Sequence, residues 1–127
     1  MSNVPETLRY TKDHEWARFE GNRARVGITD YAQDQLTDVV YVELPPVGKA
    51  IKQGDPLGTV ESVKAVSEIF APISGKVIDV NQALADKPEL VNKDPYGEGW
   101  MVVLEAAGPS QANSLMDAAT YRGHIGE

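Results

Sequence analysis

The sequence predicts a β-rich α+β domain. Three observations carry this expectation. Runs of β-branched and aromatic residues are short and bounded by Gly, Pro and Asn. The helical signals are few and brief. No linker long enough to split the 127 residues is visible, so residues 1–127 read as one domain.

Taken in order, Glu15 to Phe19 and Arg23 to Ile28 read as strands joined at Glu20-Gly21-Asn22, a hairpin turn. Thr29 or Asp30 caps a short helix that runs through Leu36. Val39 to Leu44 (VVYVEL) is a strand stopped by Pro45-Pro46. Gly75 to Val80 and Trp100 to Glu105 are further strands, and Pro88 to Asn92 forms a helical turn. Ser110 caps a final helix with Ala112, Leu115, Met116 and Ala119 on one face. Trp16 and Trp100 are expected as core or partly buried anchors, and Asp94-Pro95-Tyr96-Gly97 as a turn.

Composition narrows the function classes. Hydrophobic residues make up 42% and charged residues 24%, ordinary for a soluble globular chain. Nineteen acids against 12 bases leave a formal net charge of −7, which disfavours nucleic acid and anionic membrane surfaces as partners. No run of about 18 apolar residues suggests a membrane span. MSNVPETLRY shows no targeting pattern, so a cytoplasmic location is expected. There is no cysteine, which removes disulfides, thiolate metal sites and a Cys nucleophile. The two histidines, His14 and His124, have no metal-ligand spacing and no G-x-S-x-G serine beside them. Gly97-Glu98-Gly99 lacks the rest of a dinucleotide loop. Free-standing catalysis and a metal site are therefore not expected.

An internal repeat is visible. Gly48, Lys49, Ile51, Gly54 and Leu57 match Gly75, Lys76, Ile78, Asn81 and Leu84 at a constant offset (75 − 48 = 27; 84 − 57 = 27). Gly54 and Asn81 both tolerate positive φ, so equivalent turns are expected there. Two similar strand–turn units would then be related by a pseudo-two-fold axis, with Lys64 near its centre on a protruding hairpin.

The segment between the repeats, LGTVESVKAVSEIFAPISG, is ambiguous on pattern alone. Val60, Val63, Val66 and Ile69 recur every third residue, and Lys64 with Glu68 makes a helical i,i+4 pair. Against a helix stand the β-branched residues and the bracketing Pro56, Gly58, Pro72 and Gly75. No Asn-Gly or Asp-Gly marks a hairpin turn at Lys64.

ESVKA, at Glu61 to Ala65, resembles the lipoylation site of glycine cleavage H proteins. YTKDHEW (Tyr10 to Trp16), GITDYAQDQL (Gly27 to Leu36), VYVELPPVG (Val40 to Gly48), APISGKV (Ala71 to Val77) and DPYGEGWM (Asp94 to Met101) are similar to the same family and in its order. The similarity covers about Leu8 to Glu105. Thr37 departs from it, because the family commonly has Gly at that helix-to-strand junction.

The resemblance implies a barrel-sandwich hybrid of the lipoyl/biotinyl carrier type, with short flanking helices and a C-terminal helix. It implies covalent lipoate on Lys64, with Glu61, Ser62, Val63 and Ala65 recognised during lipoylation. It implies a carrier and not an enzyme, which works as a monomer. Four partners follow. A pyridoxal-phosphate glycine decarboxylase (P-protein) loads the arm with an aminomethyl group, and a folate-dependent aminomethyltransferase (T-protein) unloads it. Dihydrolipoyl dehydrogenase (L-protein) reoxidises the arm, and a lipoate-attaching enzyme installs it. The arm would supply the redox sulfur that a cysteine-free chain lacks. Asp13, Glu15 and Glu68 are read as ordinary solvated acids or, alternatively, as a cleft that holds the cationic aminomethyl group when the arm parks. Other readings are a lipoyl reservoir for 2-oxo acid dehydrogenases, an unmodified binding module, or a biotin carrier. For the last, Val63 and Ala65 stand where methionines usually flank the biotinyl lysine.

Overall fold

The computed structural model describes residues 3–106 and 114–127. Among these, the chain runs β1 (Arg9–Tyr10), β2 (Glu15–Glu20), β3 (Arg23–Ile28), α1 (Asp30–Leu36), β4 (Val39–Glu43), β5 (Ala50–Ile51), β6 (Pro56–Ser62) and β7 (Val66–Phe70). It continues through β8 (Gly75–Val80), α2 (Ala83–Asp86), α3 (Leu90–Lys93), β9 (Val102–Ala106) and α4 (Ala118–His124). The described strands form two antiparallel sheets, ordered β1-β2-β3-β9-β8-β5 and β4-β6-β7, and neither closes on itself.

The β2–β3 hairpin forms where the sequence predicts it. Glu20 pairs with Arg23, leaving Gly21-Asn22 as a two-residue loop. Gly21 takes φ 64° at the first turn position, which a side chain would resist. Thr29, not Asp30, caps α1: its side chain accepts the Ala32 N–H. Ala17, Ala24, Val26, Val77 and Leu104 face inward from the large sheet and meet Val42, Val60 and Ile69 of the small one. This shared apolar layer holds the sandwich together, each fully buried Val or Leu contributing about 1.5–3 kcal/mol.

The repeat is realised as pairing. Ala50 lies opposite Lys76, and the Val77 N–H reaches the Lys49 carbonyl at 2.9 Å, as exchange of the two units requires. Val60 pairs with Ser67, so the hairpin centres on the same chain midpoint, at Val63-Lys64. The expected equivalence of Gly54 and Asn81 does not hold. Gly54 has φ 88°, whereas Asn81 is outside the left-handed region. Asn81 instead clamps the chain: its Nδ2 donates to the Glu98 and Trp100 carbonyls, both at 2.8 Å.

A second cluster lies on the other face of the large sheet. Trp16 points away from Ala17 and packs with Val4, Leu8, Tyr10, Tyr96, Ala118 and Tyr121. Its indole N–H donates to the Pro95 carbonyl at 2.9 Å. Trp100 is partly buried at the margin, with the Arg25 guanidinium 5.0 Å from its ring centre.

Some boundaries differ from expectation. The last strand begins at Val102, because the Trp100 N–H closes the 94–99 turn onto the Gly97 carbonyl. The final helix starts at Ala118 and is capped by Asp117, whose side chain accepts the Thr120 N–H. Ser110 and Ala112 lie outside the described residues. Met116 is bridged in extended form to Tyr10, with both N–H···O distances 2.8 Å, and so cannot share a helical face with Ala119.

Candidate functional site

The ambiguous segment folds as the β6–β7 hairpin, with Val63 and Lys64 at its tip. No glycine makes this turn. Ser62 makes it: its N–H donates to the Ala65 carbonyl at 2.8 Å, and its Oγ accepts the N–H groups of Lys64 (3.2 Å) and Ala65 (3.0 Å). A hydroxyl thus takes the place of a backbone acceptor, a local device open to Ser and Thr.

A second element braces the tip. The Val63 N–H donates to the Asp38 carbonyl at 3.1 Å, and the Lys64 ammonium donates to the Gln35 carbonyl at 3.4 Å. Gln35 lies in the last turn of α1, where carbonyls lack helical partners and a cation is favoured. Lys64 itself is exposed and Val63 is 70% exposed. A primary amine on an exposed, hydrogen-bonded turn can be acylated once its bond to the Gln35 carbonyl is released.

The three candidate acids do not share one surface. Glu15 is buried, 1% exposed. Its carboxyl accepts the Thr11 hydroxyl at 2.5 Å and the Phe70 N–H at 3.3 Å. Burial pushes its pKa up to about 7, against the opposing pull of those two hydrogen bonds. Asp13 and Glu15 border a groove of about 380 Å³ with Tyr10, Phe70, Leu115 and Met116. Asp13 also borders a neighbouring cleft of about 330 Å³, with Tyr31, Gln35, Ser67 and Ile69, and Gln35 connects that cleft to Lys64. Glu68 lies on a different groove, with Glu43, Pro46 and Lys49, because it alternates with Ser67 and Ile69 along β7.

Sequence reading missed a polar cluster at this end. His14 Nδ1 and the Tyr121 hydroxyl share a hydrogen bond of 2.8 Å, and Thr29 Oγ1 lies 2.7 Å from the same hydroxyl. His14 has φ 72°, and its ring lies 4.9 Å from that of Tyr31, tilted by 40°. Burial and then the neighbouring His124 lower its pKa, with Asp13 opposing. Tyr121 lies 107 residues from His14 and 92 from Thr29, so no local spacing could have indicated its place between them. No group of three or more His, Cys, Asp or Glu that could hold a metal occurs among the described residues.

Residues 8–127 match the family model described as Glycine cleavage H-protein. The chain belongs to the glycine cleavage H-protein family. A glycine cleavage system H protein of Anaeromyxobacter sp. (strain K) is 60% identical over 124 residues, covering 98% of this chain and 97% of that protein. One from Symbiobacterium thermophilum is 57% identical, covering 95% and 94%. A crystal structure of a glycine cleavage system H protein from Mycobacterium marinum superposes with a TM-score of 0.88 at 39% identity, covering 98% of this chain and all of that one. Members of this family are the lipoyl carriers of the glycine cleavage system and work with its other components. The two open sheets with short helices are the carrier-type barrel-sandwich expected from the motifs.

Proposed function

We propose that Lys64 carries the lipoyl group as an amide, and that the chain acts as a non-catalytic shuttle folded as one domain. The observation that carries this reading is the exposed lysine at the tip of a hairpin closed by Ser62 and braced by α1. The geometry suits the group: the lysine is exposed, and only the long hydrogen bond from its Nζ to the Gln35 carbonyl has to be released. When bound, the lipoyl group supplies a dithiolane, which accepts an aminomethyl group while being reduced and is later reoxidised. The decarboxylase, aminomethyltransferase and dihydrolipoyl dehydrogenase would hold the cofactors for these steps.

The chain's own part is positional. The tether keeps the reactive end near docked partners at about millimolar effective concentration. Glu61, Ser62, Val63 and Ala65 present the lysine, Ser62 by shaping the turn. The groove beside Asp13 and Glu15 offers an apolar wall and a buried carboxyl to a parked arm. A cationic cargo would favour ionisation of Glu15, and exclusion of water would strengthen the pairing. Glu68 faces another groove and contributes less directly to this role.

Lys64→Arg tests the reading. It keeps the charge and removes the acylable amine. Intact mass after expression with lipoate should show the lipoyl increment on the parent and none on the variant. Reconstituted glycine–bicarbonate exchange should fall to background, with stability changed by no more than about 0.5 kcal/mol. A variant that still exchanges at the parental rate would sink the assignment. A lipoylated parent with no exchange activity would favour the reservoir role.

A further inference from the structure

Exposed apolar side chains gather beside Lys64. Val40 (52% exposed), Tyr41 (51%), Val63 (70%) and Val66 (64%) all belong to the small sheet or its tip. Tyr41 lies opposite Glu61, and Glu61 lies opposite Val66, so the three make one row across β4, β6 and β7. The next row is Glu43, Thr59 and Glu68. Strands lie about 4.8 Å apart, so each row is roughly 10 Å wide. Isolated exposed valines need no explanation, but Tyr41 and Val66 flanking Glu61 on one small sheet, with Val40 and Val63 exposed beside them, do. The face is also one-signed: β4, β6 and β7 carry Glu43, Glu61 and Glu68 and no Lys or Arg.

We propose that the outer face of β4–β6–β7 is the docking surface for the lipoate-attaching enzyme, with Tyr41 as its anchor. This rests on the assignment of Lys64. The reaction explains why this partner, among the several, must cover the row. After losing a proton to a base, the Lys64 Nζ attacks the carbonyl of an activated lipoyl ester. The C–N bond forms, the nitrogen gives up its second proton to solvent, and the activating group leaves with the electron pair of the bond it loses. The reacting atoms must approach within about 3–3.5 Å, so the enzyme has to close over the hairpin tip and the strands beside it. Enzymes that act at the far end of a finished arm are not held to that contact. The complementary partner presents an apolar notch for Tyr41 and Val66, with cationic side chains toward Glu61. Tyrosine suits the anchor role because its ring buries a large area while its hydroxyl stays wet.

Lipoyl transfer would be followed for the parent, Tyr41→Ala, Tyr41→Phe and Val66→Ser. Tyr41→Ala and Val66→Ser should lose about tenfold in kcat/KM, mainly through KM, while Tyr41→Phe stays within about twofold. Melting temperatures should stay near parental, since both side chains are more than half exposed. Tyr41→Ala protein driven to full lipoylation with excess enzyme, and checked by intact mass, should exchange glycine and bicarbonate at the parental rate. Unimpaired transfer to both Tyr41→Ala and Val66→Ser would overturn the proposal. So would normal transfer combined with failed exchange, which would assign the face to the decarboxylase. Failure of the underlying reading is separate: Lys64→Arg would then still gain the lipoyl mass.

Discussion

Glu15 is the residue whose burial and chemistry most oppose each other. The unfolded chain releases its proton near 4.5 and the folded chain near 7. Between those values the folded state holds a proton that the unfolded state has lost, so stability falls as pH rises through the window. The gap corresponds to roughly 3 kcal/mol at most, at about 1.4 kcal/mol per pH unit. His14 acts with the opposite slope, in a window that begins inside that of Glu15. Its lowered pKa means that the unfolded state binds the proton more readily, so its effect is destabilisation as pH falls below the ordinary value of 6.5. Glu15→Gln should therefore remove most of the stability lost between pH 5 and pH 8, read from urea unfolding at each pH. A variant that keeps the parental slope would show that another group carries it. The same variant, once loaded, should shed its aminomethyl group faster if Glu15 protects the parked cargo.

Thr37 ends α1 with φ 64° and ψ −145°, a conformation that suits glycine and strains a β-branched residue. Its backbone is pinned there: its N–H donates to the Gln33 carbonyl at 2.9 Å, and its carbonyl accepts Asn92 Nδ2 at 2.7 Å. The strain sits next to Asp38, which braces the hairpin tip. Thr37→Gly should relieve about 1–3 kcal/mol of strain and lose part of that to unfolded-chain entropy. A net gain of about 1 kcal/mol should appear as a higher denaturation midpoint with unchanged m-value. A variant no more stable than the parent would mean that the surroundings already absorb the strain. The same elements show what was legible in the sequence. Gly21-Asn22 named its turn because the conformation depends on residue type at the turn itself. The Lys64 turn depends on a serine hydroxyl replacing a backbone acceptor, so pattern alone left helix and hairpin open, and only the ESVKA resemblance favoured a carrier site. β1 and β5 have two residues each, too few for any alternation. Ser110 reads as the cap because helical spacing runs on through Met116; the distant Tyr10 holds Met116 extended, and Asp117 caps the helix instead.

The whole molecule divides its labour between two packed clusters on opposite faces of the large sheet. The first joins the two sheets and so fixes the Lys64 hairpin. The second ties α4 to the N-terminal segment and supports the turn at His14 that leads into β2 at Glu15. Tyr121 is central to the second. It is fully buried, stacks on Tyr10 at 4.7 Å, and its hydroxyl joins His14 and Thr29. Tyr121→Phe keeps the ring and its packing but leaves those partners without the shared hydroxyl, at a cost of about 1–3 kcal/mol. For a chain of 127 residues this should lower the melting temperature by roughly 4–10 °C. None of the contacts that close and brace the hairpin involve Tyr121: they run through Ser62, Ala65, Gln35 and Asp38. Lipoylation of Tyr121→Phe should therefore proceed within about twofold of the parental rate, below its melting temperature. If lipoylation slows in step with the loss of stability, the two clusters are energetically one, and the hairpin depends on the face that carries α4.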